Sequence, residues 1–340
     1  MLDFSSYIDL PFIWGVIITT TIFLYTILDG FDLGCGIIFL FAPSNKCRDS
    51  IMNSIAPFWD GNETWLVLSI GGLFASFPLA YSILMPAFYI PIMLMLLGLI
   101  FRGIAFEFRF KAHIKYKKVW DVAFHVGSVV ASFMQGIILG NFVIGIKIAG
   151  RHFAGSSFDW ANIFSVITGF ATIFAYALLG STWIIMKTTG KTQQSSRTIG
   201  IYTLFCLAIS ICIIILIIFF SKRKILRLFY HSMPNIFYFL LILLLILVGF
   251  IKLWLSLKSN KEIRPFIIVV ILFCIQYFTL ITALYPWIVP FEFTIWQAAA
   301  SSISQSILLI GIIIFIPIIL CYTTYSYYIF RGKSSYEKIY

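Results

Sequence analysis

Charge is what this sequence most lacks. Only 11% of its 340 residues are charged, 61% are hydrophobic, and the mean hydropathy is +1.00. A soluble domain carries roughly a quarter charged residues, so a sizeable soluble domain is excluded and the chain reads as an all-α integral membrane protein. Its six cysteines form no CxxC pair, and most fall in apolar runs. That pattern points to buried, inert thiols rather than to a metal or disulfide framework. Histidine is scarcer still: His113, His125, His152 and His231 are the full set. Three lie in loops or at the edges of apolar runs. A lone His125 inside a run reads as a hydrogen-bonded core residue, and an independent heme protein would need His or Met ligands at set depths. No Walker motif, GxSxG elbow or GxGxxG turn occurs, which excludes the soluble nucleotide-binding and hydrolase classes those motifs mark. The first nine residues hold two acids and no Lys or Arg. They lack the basic region of a cleavable signal peptide and predict the outer end of an uncleaved first helix.

Long apolar runs are abundant. A membrane-spanning helix needs about 20 mostly apolar residues, and runs of that length fall at 12–41, 51–76, 80–102, 120–146, 161–187, 197–220, 235–257, 265–287 and 303–330. About nine transmembrane helices are therefore expected. The first run is too long for a perpendicular helix, so it should tilt, or break near Gly34 and Gly36. The polar turn Thr188–Ser196 divides the chain into an N-terminal bundle, 1–187, and a C-terminal bundle, 188–340. That division suits two four-helix bundles plus one extra helix.

The net charge of +11 could suggest nucleic acid, but the basic residues sit between apolar runs rather than on one face, so no nucleic-acid partner is expected. Topology accounts for them. With the N-terminus outside and the C-terminus in the cytoplasm, 18 of the 24 Lys and Arg fall on the inner side and 6 on the outer, as the positive-inside rule requires. The cluster Lys222–Arg227 runs against this locally, and lipid headgroups or a partner would be its ligands. The late stretch Tyr285–Pro290 followed by Thr294–Gln297 predicts an outer loop with interfacial aromatic anchors.

Against so apolar a background, two acidic knots stand out. Asp29 and Asp32 are three apart and share a helix face; between and beside them Gly30 and Gly34 form a GxxxG that lets a neighbouring backbone come close. Asp60 and Glu63, in the knot Asp60-Gly61-Asn62-Glu63-Thr64, share a second face. A carboxylate in a membrane costs several kcal/mol unless paired or hydrated, so four acids in two adjacent spans point to function. A hydrated proton path or a docking site for a basic partner would use them; a polar network that only fixes helix packing is the alternative. Arg102, expected at the inner end of the third span, is the counter-charge for Asp60 or Asp32, or else an ordinary positive flank. Glu107 and Arg109 read as interfacial pairs with the following basic loop. Asp121, at the start of the fourth span, reads as helix-dipole complementarity.

Asp29–Gly34, Asn53–Trp65, Phe101–Arg109, Trp120-Asp121, Gly140-Asn141 and the late Trp296 together resemble subunit II of the cytochrome bd-type quinol oxidases. Gln297 stands where that family is expected to carry an acid. The resemblance implies a respiratory terminal oxidase that oxidises quinol and reduces dioxygen to water. Subunit I would ligate the b-type and d-type hemes and carry the quinol site, leaving this chain without a catalytic residue or metal of its own. It implies a cytoplasmic proton path containing Asp60, with Asp29, Asp32 and Glu63 beside it and Arg102 as counter-charge. A quinone lodged among the helices, small accessory subunits, membrane lipids and a location in the bacterial inner membrane are implied in the same way. A proton-coupled secondary transporter, with midplane acids in two repeated halves, and a purely structural heme-shielding subunit are the rival readings.

Overall fold

A computed structural model describes residues 9–221 and 236–334. The basic cluster Lys222–Arg227, His231 and Met1–Ile8 lie outside the described residues. The fold is a bundle of long helices. The first, α1, spans Leu10–Ile38; Asp9 caps it by accepting from the Phe12 amide at 3.1 Å, and Pro11 is pre-set for the first turn. It does not break at Gly34 or Gly36. It tightens instead into a 3-10 turn, Phe39–Phe41, just before Ala42-Pro43, where the proline ring forbids further helix.

The expected second run is divided. A short helix α2, Asn45–Ile55, is capped by Ser44, and α3, Trp59–Ser76, follows after a turn. The third run is divided as well, into α4, Pro78–Ala87, and α5, Tyr89–Lys111. Then come α6, Ile114–Ile144, α7, Ile163–Lys187, α8, Gly190–Ser221, α9, Ile236–Lys258, and α10, Arg264–Leu284. A four-residue helix α11, Ile295–Ala298, and α12, Ser302–Ile329, complete the described chain. Eight of these helices are long and apolar enough to cross a membrane. In α3 the first turn carries Asp60 and Glu63 follows, and the rest of it, Trp65–Ser76, is apolar.

One end of the bundle carries α2 and the short α7–α8 and α9–α10 connections. The other carries two small hairpins. Strands β1, Ile148–Ala149, and β2, His152–Phe153, form one; β3, Trp287–Val289, and β4, Phe293–Thr294, form the second. The second hairpin is the aromatic loop expected there: Trp296 donates its indole N–H to Asp9, and Gln297 closes a capping box with Thr294. Gln297 thus serves as a helix cap, a task that needs no acid.

The central helix is α1, which packs on α3, α6 and α7. Small residues set these distances. A Cβ on Gly34 would overlap the Tyr176 carbonyl, and Gly180 meets the Gly34 backbone from the other side, so α1 and α7 touch main chain to main chain. Gly98 and Gly127 do the same for α5 and α6. At the periphery, α8, α9, α10 and α12 present rows of exposed Ile, Leu and Phe, as faces covered by lipid or protein must. Cys35 and Cys47 are buried, whereas Cys212 and Cys321 lie on those exposed faces, so only part of the cysteine set meets the expectation of burial.

Candidate functional site

The charged centre of the bundle is Arg102, on α5. It lies well inside the helix rather than at its end, because α5 continues for more than two turns to Lys111. Its guanidinium faces α1 and α3 together. Nη1 donates to Asp29 Oδ1 at 2.6 Å, and Nη2 donates to Glu63 Oε1. Arg102 and Asp29 are fully buried; Glu63 is 28% exposed. The sequence expectation paired Arg102 with Asp60 or Asp32. The ion pairs formed are with Asp29 and Glu63, because Arg102 lies at their depth.

Asp32 follows one turn along α1 and is also buried. Its Oδ2 accepts from Asn62 Nδ2 at 2.8 Å, and the same amide reaches the Leu28 carbonyl at 3.2 Å. Tyr327, on α12, donates to Asn62 Oδ1 at 3.1 Å. Asp60 lies apart. It is exposed in the first turn of α3, where it complements the helix dipole, and its charge bears on Glu63 across one turn. The four acids therefore form a sequence in depth: Asp60 at the surface, Glu63 half-buried, Asp29 and Asp32 within. Two carboxylate oxygens, Asp29 Oδ2 and Asp32 Oδ1, are buried with no hydrogen-bond partner among the described residues, as is Arg102 Nε.

A second buried arginine occupies the same face of α5 two turns later. Arg109 Nε donates to Asp121 and Nη1 donates to Asp49 at 2.6 Å. Arg48 reaches the other oxygen of Asp121 at 3.0 Å, and Lys117 approaches Asp49 at 3.6 Å. Two readings are corrected here. Arg109 is not an interfacial residue, and Asp121 is not at a helix start: α6 begins at Ile114, so Asp121 sits two turns in, buried against two arginines. Glu107 does pair at the surface, with Lys111 at 3.9 Å.

Sequence reasoning missed the polar residues beside Asp32. Asn62 is visible inside the acidic knot, whereas Tyr327 carries no signal, since only the packing brings α12 to α1.

The described histidines each have a local place in the fold. His125 directs Nδ1 to the Gly36 carbonyl at 3.2 Å, His113 caps α6 from an exposed position, and His152 is exposed on β2. With that geometry in hand, the comparisons with known proteins decide the family. The model of the cytochrome bd terminal oxidase subunit II family matches residues 10–330. This chain belongs to that family. It is 26% identical to the cytochrome bd-I ubiquinol oxidase subunit 2 of Escherichia coli (strain K12), over 100% of this chain and 98% of that one. It is 34% identical over 188 residues to the Bacillus subtilis cytochrome bd ubiquinol oxidase subunit 2, covering 54% of this chain and 56% of that one. Its fold matches the bd oxidase from Geobacillus thermodenitrificans with a TM-score of 0.70 at 16% identity, over 95% of this chain and 97% of that chain. As a family member it is the multi-pass subunit II of an oxidoreductase complex that contains heme and a subunit I. Membership favours the oxidase over the transporter.

Proposed function

We propose that this subunit supplies protons to the oxidase from the side of the membrane that carries α2, through exposed Asp60, half-buried Glu63 and the buried pair Asp29 and Asp32. The observation that carries the reading is a charge count. One cation, Arg102, faces three buried or half-buried carboxylates. Burying an uncompensated charge costs several kcal/mol, so a cluster with more acids than cations is one that takes up and gives back protons. Exposed Asp60 is the collecting group at its mouth. Arg102 keeps Asp29 and Glu63 oriented and sets how many protons the cluster holds.

In the complex, b-type and d-type hemes on subunit I would reduce dioxygen with electrons from quinol. A cytoplasmic α2 end with the N-terminus outside accords with the positive-inside count, and a location in the bacterial inner membrane accords with the family. A quinone among the helices and small accessory subunits accord with the family and have no anchor in the geometry described above.

Asp60→Asn in the assembled complex tests the reading. Quinol oxidase turnover and proton uptake should fall several-fold, while the heme spectrum stays that of the parent. Unchanged turnover and uptake would exclude Asp60 from the path, and loss of the heme bands would assign it a structural role.

A further inference from the structure

Beyond Asp29, toward the hairpin end, the polar contacts do not stop. Gln135, on α6, donates from Nε2 to the Tyr25 hydroxyl at 2.7 Å, and its Oε1 accepts from the Tyr176 hydroxyl, on α7, at 2.8 Å. Both tyrosines are buried, Tyr25 at 5% and Tyr176 at 4% exposure. A buried side-chain amide that spans two phenols from different helices has a fixed direction: one phenol must give its proton to the amide oxygen, and the other must receive from the amide nitrogen.

That direction leaves one donor over. The Tyr25 oxygen is occupied by Gln135, so its own proton is free to be given. One turn along the same face of α1 lies a buried acceptor with no donor among the described residues, Asp29 Oδ2, whose other oxygen is held by Arg102. Helical side chains lean toward the N-terminus of their helix, which brings the Asp29 carboxylate back over the turn that holds Tyr25.

We propose that Tyr25 is a positioning residue of the acid site, giving its hydroxyl proton to Asp29 from the side opposite Arg102, with Gln135 and Tyr176 fixing the direction of that bond. The proposal rests on the proton-supply reading for its purpose, though not for its geometry. The amide has a second consequence. A neutral amide does not readily relay protons as a hydroxyl or carboxyl does, so Gln135 ends the chain of exchangeable groups and keeps protons from running on past Tyr25 toward α7.

The test uses the assembled two-subunit complex and redox-difference infrared spectroscopy. Asp29→Asn identifies the carboxyl or carboxylate stretch that belongs to Asp29. Tyr25→Phe, which keeps the ring and removes only the hydroxyl, should shift that same band, while the heme spectrum reports intact assembly. Turnover supplies a second readout: Tyr25→Phe should lower kcat a few-fold with KM for quinol unchanged, and Asp29→Asn/Tyr25→Phe should be no slower than Asp29→Asn alone. An Asp29 band that Tyr25→Phe leaves in place, or rate losses that multiply in the double variant, would overturn the proposal. Full turnover and proton uptake in Asp29→Asn would instead overturn proton supply through Asp29, while a Tyr25-dependent band would still establish the pairing.

Discussion

Arg102 and Arg109 invite comparison because so much about them is the same. Both lie on one face of α5, two turns apart, both are fully buried, and both make two ion pairs. They differ in charge balance. Around Arg109 the cations Arg48, Arg109 and Lys117 meet two acids, Asp49 and Asp121, and the chain's net charge there is nearly cancelled. Around Arg102 a single cation meets Asp29 and Glu63, with Asp32 one turn away and Asp60 at the mouth. The Arg109 cluster holds α2 against α5 and α6. The Arg102 cluster holds helices too, but with acids to spare, and spare buried acids are what proton exchange requires. Burial of an ion pair alone does not mark function; its stoichiometry does.

Removing one acid from each cluster should separate them most sharply. Asp121→Asn leaves Arg109 with Asp49 alone and takes from Arg48 its carboxylate partner, and an arginine cannot shed its proton to escape. Breaking a buried pair in this way costs about 3 to 5 kcal/mol, so thermal unfolding of the complex should drop markedly, while turnover per assembled heme stays near the parent value. Asp29→Asn should do the reverse. Glu63 still pairs with Arg102 and Asp32 still offsets its charge, so the loss of stability should be smaller than in Asp121→Asn, whereas turnover should fall about tenfold or more. Equal melting temperatures for the two variants would break the distinction.

A smaller effect sharpens the acid-rich side. Asn62 holds Asp32 with one end and Tyr327 with the other. Asn62→Leu removes the donor to a buried carboxylate, a loss worth about 1 to 3 kcal/mol, and should slow proton uptake more than it slows electron delivery from quinol. Tyr327→Phe removes only the outer bond of that row, a loss nearer 1 kcal/mol. A Tyr327→Phe variant slower than Asn62→Leu would show that the row is read in the wrong order.

The membrane class, the apolar runs and both acidic knots were legible because they rest on composition and on the three- and four-residue spacing of one helix. Asp29, Asp32 and Arg102 could be named in advance for that reason. What could not be read was which acid meets which base. The apolar run ends at Arg102 and so sets it at a helix end, whereas α5 continues to Lys111 and holds it inside, opposite Asp29 and Glu63. Asp121 was misread because α6 begins at Ile114, inside a stretch rich in lysine that does not look like membrane helix. Gly34 and Gly180 show the limit from the other side. Their contact follows from two glycines 146 positions apart, and no local pattern announces which small residue will face which.

The weakest expected effect comes from a charge pair that neither cluster contains. Glu262, in the α9–α10 connection, accepts from Lys333 at 2.8 Å and from Gln193 at 2.8 Å, and both ends of the ion pair are well exposed. The hydrogen bond from Lys333, then that from Gln193, holds the Glu262 carboxyl below its ordinary value. A carboxyl depressed on folding stabilises the folded chain fully above its unfolded value, about 4.3, and loses that contribution as pH falls through the lower folded value. The melting temperature of the complex should therefore decline more steeply in acid for the parent than for Glu262→Gln. Added salt should shrink the difference, because exposed charges are screened. The deficit of Asp121→Asn should survive the same salt, since Arg109 and Asp121 are shielded from solvent. If salt abolished both differences alike, Arg109 would belong with the surface pairs, and the contrast between the two arginines would reduce to one of depth.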